Sequence, residues 1–142
     1  MESKIYAYFL LCYFECDPEE ITKIVGVSPT DVWRIGDKIT NRSTLKRKEN
    51  GWRLKSNLEQ TSDLDAHIKN VLERLKPGWG KLRELGLQYY AEISCVIYCY
   101  DPQSPVIHFD KEIIKAAIEL NAEIDVDYYS LYGTRIKKKS TE

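Results

Sequence analysis

One strand-then-helix pattern is written twice in this chain, and such an echo restricts the fold more tightly than any single motif in it. Near the N-terminus Ala7, Phe9, Leu11 and Tyr13 alternate towards Asp17-Pro18, followed by Glu20-Ile21-x-Lys23 and then Asp31-Val32-Trp33. Near the C-terminus Ala91, Ile93, Cys95 and Ile97 lead to Asp101-Pro102, then Glu112-Ile113-x-Lys115 and Asp125-Val126. Apolar alternation at period two marks a half-buried strand, and the segments that follow carry helical spacing. Two strand–helix–strand units in 142 residues predict one α+β domain with an approximate internal repeat.

The remaining segments fill in the order. The first strand is predicted over Lys4 to Phe14, with Ala7, Phe9, Leu11 and Tyr13 turned to the core and Tyr6, Tyr8, Leu10, Cys12 and Phe14 to the other face. Asp17 as N-cap, Pro18 at the first helical position and Glu20 completing a capping box start the first helix; Gly26 stops it and Pro29 prevents its return. A short strand is predicted at Thr30 to Ile35, a mobile polar loop from Gly36 to Asn50, and a half-exposed strand from Gly51 to Leu58. Ser62 is the expected cap of a helix with the stripe Leu64, Ile68, Val71, Leu72 and Leu75, ended by Pro77-Gly78, with a short helix from Trp79 to Leu85 after it. Tyr89 to Tyr100 reads as a long strand. Asp110 caps a further helix, with Phe109 stapling onto Ile114, and Glu123 to Tyr129 is the last strand.

The order β-α-β-β-α-β-α-β predicts a ferredoxin-like sandwich with one helix and one strand added, its helices on one face of an antiparallel or mixed sheet. Residues 1–130 form the single domain, and residues 131–142 form a charged C-terminal tail expected to be frayed.

Composition fits this size. Hydrophobic residues at 43% and charged residues at 30% are ordinary for a globular domain, and no apolar run approaches the ~20 residues that span a bilayer. The Ile5–Phe14 run is rich in tyrosine, leads unbroken into Asp17 and lacks a small-residue cleavage site, which favours a strand over a signal-peptide core. A cytoplasmic location is the expectation. The pairs Cys12/Cys16 and Cys95/Cys99 invite a metal reading, but strand residues four apart lie about 13 Å from each other. Cys95 and Cys99 also fall in the opposite alternation set from Cys12 and Cys16. Buried free thiols, with no metal and no cofactor, are expected.

Asp17 to Lys23 after the opening strand, Ser28-Pro29-Thr30, the stretch Trp33-Arg34-x-Gly36-Asp37 and Gly51-Trp52-Arg53-Leu54 together resemble the bacterial family named domain of unknown function 4279. The likeness runs from about Tyr6 to Tyr129 and is most specific at Trp33, Arg34, Gly36, Asp37 and Trp52. It implies a small stand-alone bacterial protein and supplies no reaction, cofactor or partner.

Phosphate-cradling, dinucleotide, zinc-protease and nucleophile-elbow motifs are absent from the sequence. His67 sits beside the apolar helical stripe, where packing explains it, and His108 lies next to a helix cap. Charge placement says more. Between Arg34 and Lys55 eight basic residues meet only Asp37 and Glu49, and the tail adds Arg135, Lys137, Lys138 and Lys139. A basic loop (Arg34, Arg42, Lys46, Arg47, Lys48) between Trp33 and Trp52 is thus one candidate site, suited to stacking single-stranded bases, although the pI of about 6.2 is low for that role. The second candidate is an aromatic face built from Tyr6, Tyr8, Tyr98 and Tyr100. Tyrosine offers large contact area with a polar tip, which suits a protein partner. The leading expectation is therefore a non-enzymatic interaction module, monomeric or homodimeric, that binds another protein as an immunity-type or regulatory partner. Nucleic-acid binding and a small-ligand pocket between the repeat units are the alternatives.

Overall fold

A computed structural model describes residues 2–133. The elements, in chain order, are β1 (Lys4–Cys12), α1 (Pro18–Val25), β2 (Asp31–Trp33), β3 (Gly51–Lys55), α2 (Leu64–Leu75), α3 (Trp79–Gln88), β4 (Tyr90–Cys99), α4 (Lys111–Glu119) and β5 (Ala122–Ser130). A single 3-10 turn, Lys76–Gly78, links α2 to α3. The expected frayed tail lies outside the described residues from position 134 onwards.

The fold is mixed α+β, with one five-stranded sheet ordered β2-β3-β1-β4-β5. β1 runs antiparallel to both neighbours, β3 and β4, and β2 is antiparallel to β3. β5 pairs parallel to β4, a connection that requires a crossover, and α4 supplies it. The core lies between one face of the sheet and the helices. Ala7, Phe9, Leu11, Trp52, Leu54, Ile93, Cys95 and Ile97 meet Ile21 and Val25 of α1, the α2 stripe, Leu82 and Leu85 of α3, and Ile113 and Ala117 of α4 in one buried cluster. The five predicted α2 positions are all buried there, as helical spacing demands.

Local differences from the sequence expectations have physical causes. Tyr13 does not continue the core set: its φ of 72° turns the chain, leaving it 64% exposed and burying Phe14 against Tyr89 instead. β1 consequently ends two residues early. Asp17 occupies the N-cap position and Gly26, at φ 75°, closes α1, but the Asp17 side chain makes no cap hydrogen bond because Arg34 holds it. Asp63, not Ser62, is the N-cap of α2; the Ser62 N–H donates to Glu59 in the preceding turn. Asp110 does cap α4, accepting from the Ile113 N–H at 3.0 Å, whereas Ile114 is 46% exposed and Phe109 packs against the core. Asp101-Pro102 opens a loop, so α4 begins well beyond it.

The segment expected to be a mobile loop between β2 and β3 is a narrow folded arm. Lys38 and Lys46 bridge across it, Gly36 N–H donates to the Arg47 carbonyl, and Arg47 N–H donates to that of Asp37. At its base, buried Asn50 donates to the Phe14 and Cys16 carbonyls and accepts from the Ile35 N–H.

Candidate functional site

Strand alternation, applied through the observed register, assembles the sheet face that the helices leave uncovered. β1 contributes Lys4, Tyr6, Tyr8, Leu10 and Cys12. Across from Tyr8 and Leu10 stand Lys55 and Arg53 of β3 on one side, and Ser94 and Glu92 of β4 on the other. β5 extends the surface with Glu123, Asp125, Asp127 and Tyr129, level with Glu92, Ser94, Val96 and Tyr98. On the far side β2 adds Asp31 and Trp33, opposite Arg53 and Gly51.

Cations and rings interleave on the β2–β3 flank. The Arg47 guanidinium lies 4.0 Å from the Trp33 ring centre, and that of Arg53 lies 5.1 Å from both Trp33 and Tyr8. The Lys55 ammonium sits 5.2 Å over Tyr6, which stacks on Tyr8 at 6.3 Å. Such contacts hold long side chains flat on the sheet. Arg53 is also fixed by a forked pair to Asp31, at 2.9 and 2.5 Å. Burial alone would raise the Asp31 carboxyl, but the guanidinium's hydrogen bonds and charge bring the net direction below its ordinary value. Trp33 is only 7% exposed, and its Nε1, like the Arg47 Nε, has no acceptor among the described residues.

The opposite flank is acidic. Glu92 accepts from the Tyr90 hydroxyl at 2.5 Å and from the Ser94 hydroxyl. Burial, followed by these carboxylate contacts, pushes the Tyr90 phenol upwards. Tyr98 and Tyr129 stack at 5.0 Å with ring planes 12° apart.

Of the predicted aromatic face, Tyr6, Tyr8 and Tyr98 share this surface, while Tyr100 follows the last residue of β4. The predicted basic loop does not form one patch. Arg34 reaches back to Asp17 at 2.8 and 3.0 Å; Arg47 lies on Trp33; Arg42, Lys46 and Lys48 are exposed on the arm. Trp33 and Trp52 occupy opposite faces, so they do not flank a common track. Trp52 is fully buried under α1, edge-on to Phe9 at 6.4 Å, with its N–H donating to Thr22. Gly36 takes φ 91° in the turn after β2, and Asp37 accepts the Arg34 backbone N–H at 2.8 Å. The tryptophan–arginine–x–glycine–aspartate stretch therefore shapes the start of the arm.

Both histidines are placed. His67 is fully buried in a closed chain: the Ala7 N–H donates to Ser56 Oγ, whose hydroxyl meets His67 Nδ1 at 2.7 Å, and Nε2 meets the Glu59 carbonyl at 3.0 Å. A carbonyl can only accept, so Nε2 carries the proton and Nδ1 accepts from Ser56. His108 is exposed. Among the cysteines, Cys95 and Cys99 belong to the helix-side set of β4, Cys12 lies on the open face, and Cys16 is exposed. Burial pushes the thiols of Cys12 and Cys95 up to about 12.

Arg53, Lys55, Trp33 and Tyr129 were not grouped with the tyrosines by sequence reasoning. Alternation along β3 had separated Arg53 and Lys55 from the core set, but only the β3–β1 pairing sets them beside Tyr6 and Tyr8. No curated protein and no solved structure matches the chain. A family model does match, over residues 3–131, nearly the whole described length. The chain therefore belongs to the family described as Domain of unknown function (DUF4279).

Proposed function

We propose that this domain is a non-enzymatic protein-binding module of the bacterial cytoplasm, of the immunity or regulatory kind, acting through the open face of its sheet. One observation carries the reading: an uncovered face on which Tyr6, Tyr8, Tyr98 and Tyr129 lie as stacked pairs, with Lys55 and Arg53 laid over two of them. Aromatic and arginine side chains held flat before binding lose little freedom on contact, which is how interface anchors gain affinity. We read the scaffold as ferredoxin-like, since β2-β3-β1-β4 interleaves two βαβ halves, with α4 and β5 appended. We read β1-α1-β2 and β4-α4-β5 as a diverged repeat, in which Asp31-Val32 and Asp125-Val126 both fall in closing strands.

The alternatives have less support. Binding of single-stranded nucleic acid through Arg34, Arg42, Lys46, Arg47 and Lys48 loses its shared stacking track with Trp33 and Trp52 on opposite faces. A small ligand has a groove of about 570 Å³ available, lined by Glu2, Ile5, Asp63 and Asp101 at the end of the sheet. That lining is acidic and includes none of the stacked rings.

The test compares immobilised wild type with Tyr6→Ser/Tyr8→Ser and with Lys46→Ala/Lys48→Ala. Wild type and the arm variant are expected to retain a protein, from lysate or as added domain, that the tyrosine variant releases. Oligonucleotide anisotropy should stay flat at physiological salt. Tight, steeply salt-dependent oligonucleotide binding abolished by the arm changes would overturn the reading.

A further inference from the structure

The open face is electrostatically two-sided, with a basic flank and an acidic one. Arg47, Arg53 and Lys55 mark the β2–β3 flank, where Asp31 is bound to Arg53. Glu92, Glu123, Asp125 and Asp127 mark the β4–β5 flank. Glu123, Asp125 and Asp127 make no ion pair among the described residues, and neither does Lys55. β1 divides the flanks and presents Tyr6, Tyr8 and Leu10 between them.

We propose that the partner of this face is a second copy of the chain, packed sheet against sheet about a two-fold axis running along β1. The proposal rests on the open face being a protein-binding surface and adds the identity of the occupant. A two-fold axis lying between the sheets and parallel to β1 exchanges the flanks while keeping each residue's level along the strands. Arg53 and Glu92 both stand at the level of Leu10, and Lys55 and Asp125 both stand at that of Tyr8. Arg53 then faces Glu92 of the second copy, and Lys55 faces Ser94 with Asp125 beside it. Tyr8 and Leu10 meet their own counterparts on the axis. The Trp33 and Arg47 N–H groups without acceptors lie on the flank that receives carboxylates. An axis perpendicular to the strands would instead lay the Arg53 and Lys55 strand on itself and the Glu92 strand on itself, which costs affinity. The axis along β1 sets acid against acid only at Asp31, already bound to Arg53, and Glu123.

Size and the competing edge contact agree with this geometry. Strands spaced about 4.8 Å apart and rising about 3.3 Å per residue give the face roughly 550 Å² in projection. Two such faces reach the total of about 1,000 Å² that a specific interface needs, and near-aligned sheet packing is a standard arrangement. Pairing through the β5 edges would set Glu123, Asp125 and Asp127 against themselves, the device by which sheet edges avoid association.

Sedimentation equilibrium on the full chain, with urea melts to verify folding, tests the proposal through a charge swap. Wild type is expected to dimerise. Lys55→Glu alone and Asp125→Lys alone should each weaken the dimer by about tenfold or more, since each sets like charges opposite one another. The double variant should recover most of that loss. Within one copy the two positions are three strand spacings apart, roughly 14 Å, so recovery reports a contact between copies. A wild type that stays monomeric at every concentration overturns the proposal, as does a dimer indifferent to the swap. If that monomer holds a foreign protein that Tyr6→Ser/Tyr8→Ser releases, the second copy is wrong and the protein-binding face stands; if it holds none, both fall.

Discussion

At Gly51 the absence of a side chain is required by a neighbour, not by backbone angle. A Cβ built there would stand 2.0 Å from Trp33 Cε2 and 2.2 Å from its Cζ2, so the indole rests directly on the β3 backbone. Arg47 also lies over the ring, 4.0 Å from its centre, and restricts its retreat. Gly51→Ala should therefore cost about 1–3 kcal/mol, the usual penalty for overpacking. Trp33→Ala should cost about 3–5 kcal/mol, as for other large buried aromatics. Urea melts of both single variants and the double variant check the mechanism. Once Trp33 is alanine, adding Gly51→Ala should cost almost nothing; an unchanged penalty in that background would place the clash elsewhere. The burial of Trp33 follows from ordinary hydrophobicity and was legible in the sequence. Its position on the open face was not, because Trp33 and Trp52 read alike until β2 and β3 are paired.

Most elements could be read from periodicity, since each buries a face whose spacing shows in the chain: the α2 stripe, the β1 alternation as far as Cys12 and the Gly26 stop stand where the sequence puts them. The arm between β2 and β3 could not, because its order comes from hydrogen bonds across it and from one side chain at its base, and not from a pattern. Asn50 spends its amide on carbonyls of the β1–α1 turn and its oxygen on the Ile35 N–H, joining two segments far apart in sequence. Asn50→Asp keeps an acceptor for Ile35 but turns a carboxylate oxygen towards the Phe14 and Cys16 carbonyls. It should cost about 2 kcal/mol, the range for a buried donor lost with its partners left unpaired. Hydrogen exchange locates the effect. Amides of Gly36, Ile39 and Arg47, which close the arm, should exchange much faster, while those of α2 should change only by the global loss. Uniform acceleration across α2 and the arm would mean that Asn50 supports the whole domain and not the arm.

For the molecule as a whole, the order β2-β3-β1-β4-β5 was the least legible feature, because alternation names a strand's faces but not its neighbours. That order determines which charges share the open face. It also packs α2 over β1, burying His67 beside Ser56. Desolvation lowers the His67 pKa below its ordinary 6.5, while its hydrogen bond to the Glu59 carbonyl acts weakly the other way. The unfolded chain therefore binds this proton first. Stability from the neutral imidazole is complete above pH 6.5 and is lost as pH falls from there towards the folded-state pKa. The carboxyls act in a lower window. Asp110, held down by the Lys69 ammonium, and Asp31, held down by Arg53 against its own desolvation, contribute above their ordinary 3.8 and lose that contribution below it. Urea midpoints followed from neutral pH downwards should decline in two stages. The first should begin near pH 6.5, with a slope of at most about 1.4 kcal/mol per pH unit for one proton. In His67→Gln that first stage should vanish whatever the variant's absolute stability, leaving only the decline below pH 4. A first stage that survives the substitution would assign it to another group and refute the neutral, closed hydrogen-bond chain through Ala7, Ser56, His67 and Glu59.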